Sequence, residues 1–332
     1  MWRLSPSAVK QSHFLCRSRI KVYLRNRKRN DITVMKKLFY LFAVAACTMF
    51  AACSESDDYN ADTAESPYKP SPTLRKVASV KTTNSIDGRD YSWEHKFEYD
   101  AQGRIKSINS NMVHHRAVEF ADMVRYYLCN ITSKANYYYK GELLEVDYVV
   151  EREYPEYPEW NTHESGTDRG KFNKAGVLST FSTIDFAYST TSLNTAYTDS
   201  GREYTIKRDA SGDVTGYLVK QVANESVVLD RSVEYGYSHF RNRINFDLSA
   251  YFGYWGIEQE IYANRSQFYA SYQLGAFGML GATSPYLPLT MLGKDEYGNA
   301  VYLPGTWELD GRDCPLSFTD ATGRKTEITY VD

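Results

Sequence analysis

The residues that could bind a catalytic metal are His163 and Glu164, which begin the His-Glu-x-x-His pattern of zinc proteases. The second histidine of that pattern lies one helical turn after the first, but Thr167 stands at this position. Glycines on both sides of Thr167 favour a loop over a helix. The adjacent His114 and His115 would point to opposite faces of a strand and could not share one metal. We therefore predict no metal site.

Two pairs of acidic residues, Glu151 with Glu153 and Glu258 with Glu260, have the residue types of a glycosidase. Such catalysis requires a defined separation between the two carboxylates, and the solvated faces of a strand and a helix explain these pairs better. The sequence also contains no Gly-x-Ser-x-Gly elbow, no phosphate-binding loop and no Cys-x-x-Cys motif. It therefore predicts no enzymatic activity and no cofactor.

Aromatic side chains give the sharpest functional hypothesis. Residues 251–272 combine many aromatic and small side chains. Exposed rings stack on sugars and exposed apolar patches mark binding sites, whereas buried rings fill barrel interiors, and both interpretations stay open. Trp160 lies in a polar stretch, 155–170, whose prolines and glycines predict a loop without regular structure and an exposed tryptophan. The candidate ligand-binding residues are Trp160, Tyr254 and Trp255.

The start of the chain has the features of a targeting segment. Residues 1–34 carry nine Lys or Arg and one acid without strand or helix periodicity, so we interpret them as a disordered, over-extended N-terminus with Met35 as the start. Residues 35–52 combine Lys36-Lys37, an apolar run too short to cross a bilayer, and a small-residue cleavage site. This segment resembles a bacterial lipoprotein signal, and the resemblance assigns lipidation to Cys53. Phe50 stands where that family prefers leucine; the alternative is an ordinary cleavable signal.

Residues 53–72 read as an acidic, flexible tether that precedes a folded domain at 73–332. The acidic run at 54–58 resembles the surface-export signal of Bacteroidota lipoproteins, and a solvated tether is the alternative. Without residues 1–52 the chain keeps 28 Lys or Arg and 40 Asp or Glu, a net charge of −12. Nucleic acid is disfavoured as a partner, because a phosphate backbone requires a basic footprint.

The domain itself is organised around residues 91–108. Tyr91, Trp93, His95, Phe97 and Tyr99 alternate with polar residues, which predicts a half-buried strand. The strand runs into a turn with aspartate at its first position and glycine at its fourth. The same turn recurs at 173–176, 209–212, 295–298 and 320–323, and a tighter one occurs near 141. The spacing of glycines 103, 141, 176 and 212, by 38, 35 and 36 residues, indicates a repeated hairpin unit.

We therefore predict an all-β fold, an antiparallel meander of hairpins that forms a curved or barrel-like sheet. One or two short helices are expected between Tyr251 and Gly281, and residues 111–129 fit a helix, a strand or an irregular excursion. Cys129 and Cys314 are more consistent with two separately buried thiols than with a disulfide. Strands at 146–153 and 204–208 carry charge on both faces, which predicts that the sheet stands in water.

The unit aromatic-x-Tyr-Asp-x-x-Gly-Arg-Ile at 97–105 is similar to the YD repeats of bacterial surface proteins. Together with the leader, the tether and the later hairpins, it resembles a Bacteroidota lipoprotein family of unknown function, described as porin-like in fold. The resemblance covers residues 73–332 and implies a curved or closed antiparallel sheet, with no activity and no functional residues. The departures are residues 111–129 and a degenerate repeat in which Ala300 replaces a large apolar residue.

The functional hypothesis is a lipid-anchored protein of the outer membrane, exposed at the cell surface, that binds glycan or protein ligands as an accessory module. Two other classes stay open: a structural or assembly component of the outer membrane, and a glycan hydrolase. A binding role is favoured because the sequence has a predicted targeting signal, a tether and loops, but no set of residues arranged for catalysis.

Overall fold

A computed structural model of the protein describes residues 65–331, with gaps at 121–122, 200–201, 224–225, 250, 253–273 and 295–299. The described residues form sixteen antiparallel strands that pair in chain order, and the first strand pairs with the last, so the sheet closes into a barrel. The all-β prediction is confirmed. The strands are β1 (Val77–Ile86), β2 (Arg89–Tyr99), β3 (Ile105–Phe120), β4 (Met123–Lys140), β5 (Leu143–Glu153), β6 (Thr162–Phe172), β7 (Leu178–Phe181), β8 (Ile184–Tyr188), β9 (Thr195–Asp199), β10 (Arg202–Arg208), β11 (Val214–Ala223), β12 (Ser226–Arg241), β13 (Tyr286–Lys294), β14 (Ala300–Leu309), β15 (Pro315–Asp320) and β16 (Lys325–Tyr330).

Alternation along the strands separates an apolar inner face from a polar outer face. On β2, Trp93, His95 and Phe97 are buried, whereas the side chains between them, Glu94 and Lys96, lie on the outer face. Burial of the inner rings removes apolar surface from water, which is the main favourable term in folding. The strand predicted from residues 91–99 is confirmed.

Repeated turns close one end of the barrel, which we call the turn end. Asp100 shows the pattern: its Oδ1 atom accepts hydrogen bonds from the backbone N–H groups of Gln102 (3.0 Å) and Arg104 (2.9 Å). Gly103 takes a φ of 80°, a left-handed conformation that costs glycine little. The predicted turns at 103, 141, 176 and 212 lie at this end and have a glycine with positive φ. The predicted turn at 323 also has one, but it joins β15 to β16 at the opposite end, and the turn at 295–298 lies outside the described residues.

The opposite end, which we call the rim, has an uneven height. The β3–β4 hairpin consists of strands of 16 and 18 residues, whereas β7 and β8 have 4 and 5 residues. The ambiguous residues 111–129 are therefore two paired strands that raise one side of the wall. Long strands formed here because the alternation of His114, Arg116 and Val118 with outer-face residues continues that of Met112 and Ser110.

The described part of the connection between β12 and β13 lies inside the barrel. Its described residues, 242–249, 251–252 and 274–285, are mostly buried, with Phe246 and Tyr251 completely so. The Phe246 ring lies 5.4 Å from Phe97, and the Tyr251 hydroxyl bonds to Thr82 Oγ1 at 3.0 Å. A large barrel encloses a lumen that is filled either by side chains or by water, and the described residues of this connection supply much of the core. Residues 248–249, 251–252 and 274–276 are helical, residues 277–281 form a turn, and residues 253–273 of the predicted helical region lie outside the described residues.

Residues before the first strand also pack into the domain. Ser66 and Tyr68 are buried, and the Tyr68 hydroxyl donates a hydrogen bond to the backbone oxygen of Phe277 at 2.6 Å. The Tyr68 ring stacks on Phe172 at 5.5 Å between ring centres. Packing therefore extends N-terminal to the expected boundary at residue 73. Residues 1–64, with the predicted leader and most of the predicted tether, lie outside the described part of the chain.

The prediction of a long irregular loop over 155–170 is wrong. Regular structure resumes at Thr162, where β6 begins, because glycines 166 and 170 pair with Tyr148 and Leu144 of β5 in an ordinary ladder. The glycine at 166 fits beneath Tyr148, whose hydroxyl would lie 2.8 Å from an added Cβ.

Cys129 and Cys314 are both buried and free, as the sequence favoured. Among the residues that the structure describes, no helix is both long and apolar enough to cross a membrane.

Candidate functional site

Trp160 ends a single 3₁₀ turn, Pro158–Trp160, between β5 and β6 at the rim. The turn begins with a proline at its first position, where the missing N–H needs no partner. Asn161 anchors the exit, because its Oδ1 atom accepts a hydrogen bond from the backbone N–H of Tyr154 at 2.7 Å. Trp160 is therefore half-buried and held in place, whereas the sequence predicted an exposed position on an irregular loop. Tyr254 and Trp255, the other candidates, lie outside the described residues, as does Cys53.

Four aromatic residues, Tyr127, Tyr154, Tyr157 and Trp160, form what we call the rim cluster. Tyr157 stacks on Trp160, with ring centres 4.5 Å apart and planes 17° apart. Tyr127 and Tyr154 meet Trp160 edge to face at 5.2 and 5.8 Å. Such edge-to-face contacts are favourable for the ring quadrupoles and fix the orientation of each ring. Tyr127 and Tyr154 are buried, whereas Tyr157 and Trp160 keep part of their surface in water.

Strand register brings charged and polar side chains next to this cluster on the inner face. Arg116 of β3 pairs with Tyr127 of β4, and His114 pairs with Cys129. Arg152 of β5 pairs with Ile131, one inner-face position deeper. These residues lie on three neighbouring strands of the raised wall and line its inner surface.

Burial sets the protonation state of the neutral groups here. Burial, with a smaller contribution from nearby His115, lowers the pKa of His114 to about 4, so this imidazole is neutral at pH 7. Burial raises the pKa of the Cys129 thiol, although the Tyr154 hydroxyl and the positive charges of Arg152 and Arg116 oppose that shift. Cys129 is therefore an unreactive thiol at neutral pH.

The two arginines differ in the hydrogen-bond partners of their N–H groups. The Nη1 atom of Arg116 donates to the Tyr154 hydroxyl at 3.3 Å. Arg152 is only 9% exposed. Its Nη1 atom lies 3.5 Å from Thr162 Oγ1 and 3.6 Å from a carboxylate oxygen of Glu164. The Nε and Nη2 atoms of Arg152 are buried and have no hydrogen-bond partner among the described residues.

The acidic pair Glu151 and Glu153 lies on the opposite, outer face of the wall and is exposed. Glu151 accepts from His163 at 3.3 Å. His163 and Glu164 occupy opposite faces of β6, so their side chains diverge. Glu258 and Glu260 lie outside the described residues. Among the residues described, no group of three or more His, Cys, Asp or Glu side chains could hold a metal ion.

The arrangement can bind but offers no activated nucleophile. It combines an aromatic surface that is partly in water with two arginines beside it, the half-buried Arg116 and the buried Arg152, and ligand pockets use the same residue types. Sequence reasoning found Trp160 but missed Tyr127, Tyr154 and Arg116, since these lie in the segment left ambiguous or at the end of a strand. One signal for Arg152 was present, because it follows Val146, Tyr148 and Val150 on the same strand face.

Comparisons with known proteins give several similar solved structures, among them two porin-like proteins. The chain is similar to a porin-like protein from Bacteroides uniformis, with 13% identity, a TM-score of 0.43, and coverage of 80% of this chain and 100% of that chain. It is also similar to a porin-like protein from Bacteroides vulgatus, with 13% identity, a TM-score of 0.30, and coverage of 77% and 99%. No family model and no curated protein match the chain. The resemblance to a lipoprotein family with YD-like repeats therefore stays a prediction.

Proposed function

We propose that this protein is a lipid-anchored binding module of the outer membrane, exposed at the cell surface, which holds a glycan at the rim cluster. The observation that carries the proposal is the stacked pair of Tyr157 and Trp160, with ring centres 4.5 Å apart, at the rim. Flat aromatic rings bind the apolar faces of sugar rings, and a support with fixed rotamers lowers the entropic cost of binding.

Polar chemistry of the outer wall supports attachment through a lipid rather than through the barrel. On neighbouring strands β5 and β6, Glu145 accepts from Arg169 at 2.9 Å, and Asp147 accepts from Thr167 at 2.6 Å. A transmembrane barrel needs an apolar band on this face, and a charged side chain at the bilayer midplane costs about 2–4 kcal/mol for Arg or Lys. A wall with such ladders favours water. Acylation of Cys53 would then supply the attachment.

The inner wall also supports attachment through a lipid rather than through the barrel. The interior of a porin is polar and holds water. Here the inner face carries fully buried apolar residues, and the connection between β12 and β13 packs against them. The inner face is therefore more apolar than the water-filled interior of a porin. A barrel of this kind serves as a rigid support for its rim rather than as a pore.

A glycan array probed with the purified full-length protein tests the proposal. We expect binding to a defined set of oligosaccharides, and Trp160→Ala should weaken it at least about tenfold, because a central tryptophan anchor carries much of a binding energy. The matched control is Tyr138→Ala, which removes a tyrosine that is 44% exposed on the outer face of β4. Thermal unfolding of each variant checks that the barrel is intact. Wild-type affinity in the folded Trp160→Ala protein, or an array without any bound glycan, would contradict the proposal.

A further inference from the structure

Arg152 stands in an apolar row on the inner face of β5. It follows Val146 and Val150, which are 0% and 1% exposed, and is itself only 9% exposed. Moving a guanidinium out of water is costly unless its N–H groups find acceptors. The side chain has one ionic neighbour among the described residues, Glu164, at 3.6 Å from Nη1.

The unsatisfied donors of Arg152 form one edge of the guanidinium. Nη1 is directed to Thr162 and Glu164, whereas Nε and Nη2 have no acceptor among the described residues. Together those two atoms carry three of the five N–H donors of arginine. Nε–H and one Nη2–H are parallel and lie on the same side of the planar group. They are the fork that binds a carboxylate with two parallel hydrogen bonds.

A buried donor without an acceptor costs roughly as much as a lost hydrogen bond, so a vacant edge of this kind favours an anionic guest. Glu164 does not fill it, since its carboxylate lies on the Nη1 side. Arg116 adds a second positive charge on the same inner wall, and its Nη1 atom donates to the Tyr154 hydroxyl. The wall therefore presents a directed fork and an attractive potential to one oxyanion.

The fork adjoins the aromatic surface. Tyr154 is two residues beyond Arg152, and its ring lies 5.8 Å from that of Trp160. Thr162, which contacts Arg152, is two residues beyond Trp160. The geometry points to a ligand with a sugar ring for the rim cluster and a planar carboxylate for Arg152: the structure assigns a hexuronate-containing oligosaccharide to this site. This inference rests on the proposed function, because it names the class of glycan that the same site binds.

The experiment changes both members of the proposed pair, the carboxylate of the ligand and the guanidinium of Arg152. Calorimetry measures binding of galacturonate and glucuronate oligomers, and of their methyl esters, to the full-length protein and to Arg152→Lys. Lysine keeps the charge but lacks the fork. The matched control is Arg169→Lys, which changes an arginine on the outer face of β6 that bonds to Glu145. A sulfated oligosaccharide and a glutamate-rich peptide test other sources of an oxyanion.

We expect one of the acidic oligomers to bind the wild type at least about tenfold more tightly than its ester, as a bidentate charge-assisted pair allows. Arg152→Lys should remove that preference and leave the affinity for the ester unchanged, and Arg169→Lys should change neither. The ester comparison needs no variant, so it holds even if Arg152→Lys does not fold.

Equal affinity of the wild type for acid and ester, or tighter binding of the sulfated oligosaccharide or the peptide, would overturn the inference. Neutral glycans that bind and depend on Trp160, without any preference for uronates, would leave the proposed function standing while the inference falls. Peptide binding without any glycan binding would overturn both.

Discussion

Substitution of alanine for Gly176 tests whether residues 66–68 belong to the folded barrel. Gly176 has a φ of 76°, and an added Cβ would lie 2.7 Å from the backbone oxygen of Pro67 and 3.3 Å from the Cα atom of Tyr68. Because these are backbone atoms, the contact is relieved only if the N-terminal segment moves. Gly323 is the matched control: its φ is 83°, its turn has the same hydrogen bonds, and nothing lies within 4 Å of an added Cβ.

The two substitutions share one cost and differ in the other. A left-handed conformation costs an alanine about 1–2 kcal/mol relative to glycine, and both variants incur this. Overpacking against a fixed neighbour costs about 1–3 kcal/mol more, and only Gly176→Ala incurs that. The free energy of unfolding in urea should therefore fall by about 1–2 kcal/mol for Gly323→Ala and by about 2–5 kcal/mol for Gly176→Ala.

A third variant identifies the source of the difference. Pro67→Gly keeps the backbone oxygen but frees the segment to move, so in combination with Gly176→Ala it should recover part of the loss. Equal destabilisation by the two alanine substitutions would refute the reasoning. Residues 66–68 would then contact the barrel without contributing to its stability.

Two further predictions concern the anchor and the effect of pH. Cys53→Ser should convert a membrane-pelleting protein into a soluble or unprocessed one and abolish metabolic labelling with palmitate; unchanged labelling would sink the lipoprotein assignment. His95 is buried, and burial lowers its pKa to about 4. Between pH 6.5 and pH 4 this histidine is therefore protonated in the unfolded chain but neutral in the folded protein. The stability of the wild type relative to His95→Gln should thus fall by about 3 kcal/mol between pH 7 and pH 4, measured by urea unfolding at each pH, and a constant difference would contradict this.

Local rules predicted the hairpin turns because they depend on one or two side chains. An aspartate or asparagine that accepts from the backbone, followed by a glycine with positive φ, was enough to locate the turns at 103, 176, 212 and 323. A further turn at 310–314 escaped notice because Asp313, with a φ of 57°, replaces the glycine. Asp310 nevertheless accepts the same two backbone hydrogen bonds, from Arg312 and Cys314. The aspartate is therefore the more dependable half of the signal.

Long-range features could not be predicted in the same way. Closure depends on the pairing of β1 with β16, which joins residues such as Val80 and Ile328 across most of the chain. The placement of residues 242–249, 251–252 and 274–285 inside the barrel depends on a lumen that exists only after closure. Trp160 was misplaced for a related reason. Glycines 166 and 170 suggested a loop, but in the barrel they make room for Tyr148 and for Phe181 on the neighbouring strand.

Arg152 shows that the role of a charged side chain depends on whether its face of the strand points into the barrel or into solvent. In the sequence it shares a face with Val146, Tyr148 and Val150, and we took it as one of the charges that keep the strand in water. In the barrel that face is the inner one, so the charge is buried and the outer charges of Glu145 and Asp147 face solvent instead. The proposal that the wall stands in water is unchanged, since it depends on the outer ladder alone. The inner arginine plays no part in that argument, and its donor edge, which has no acceptor among the described residues, is the feature from which we infer the uronate ligand.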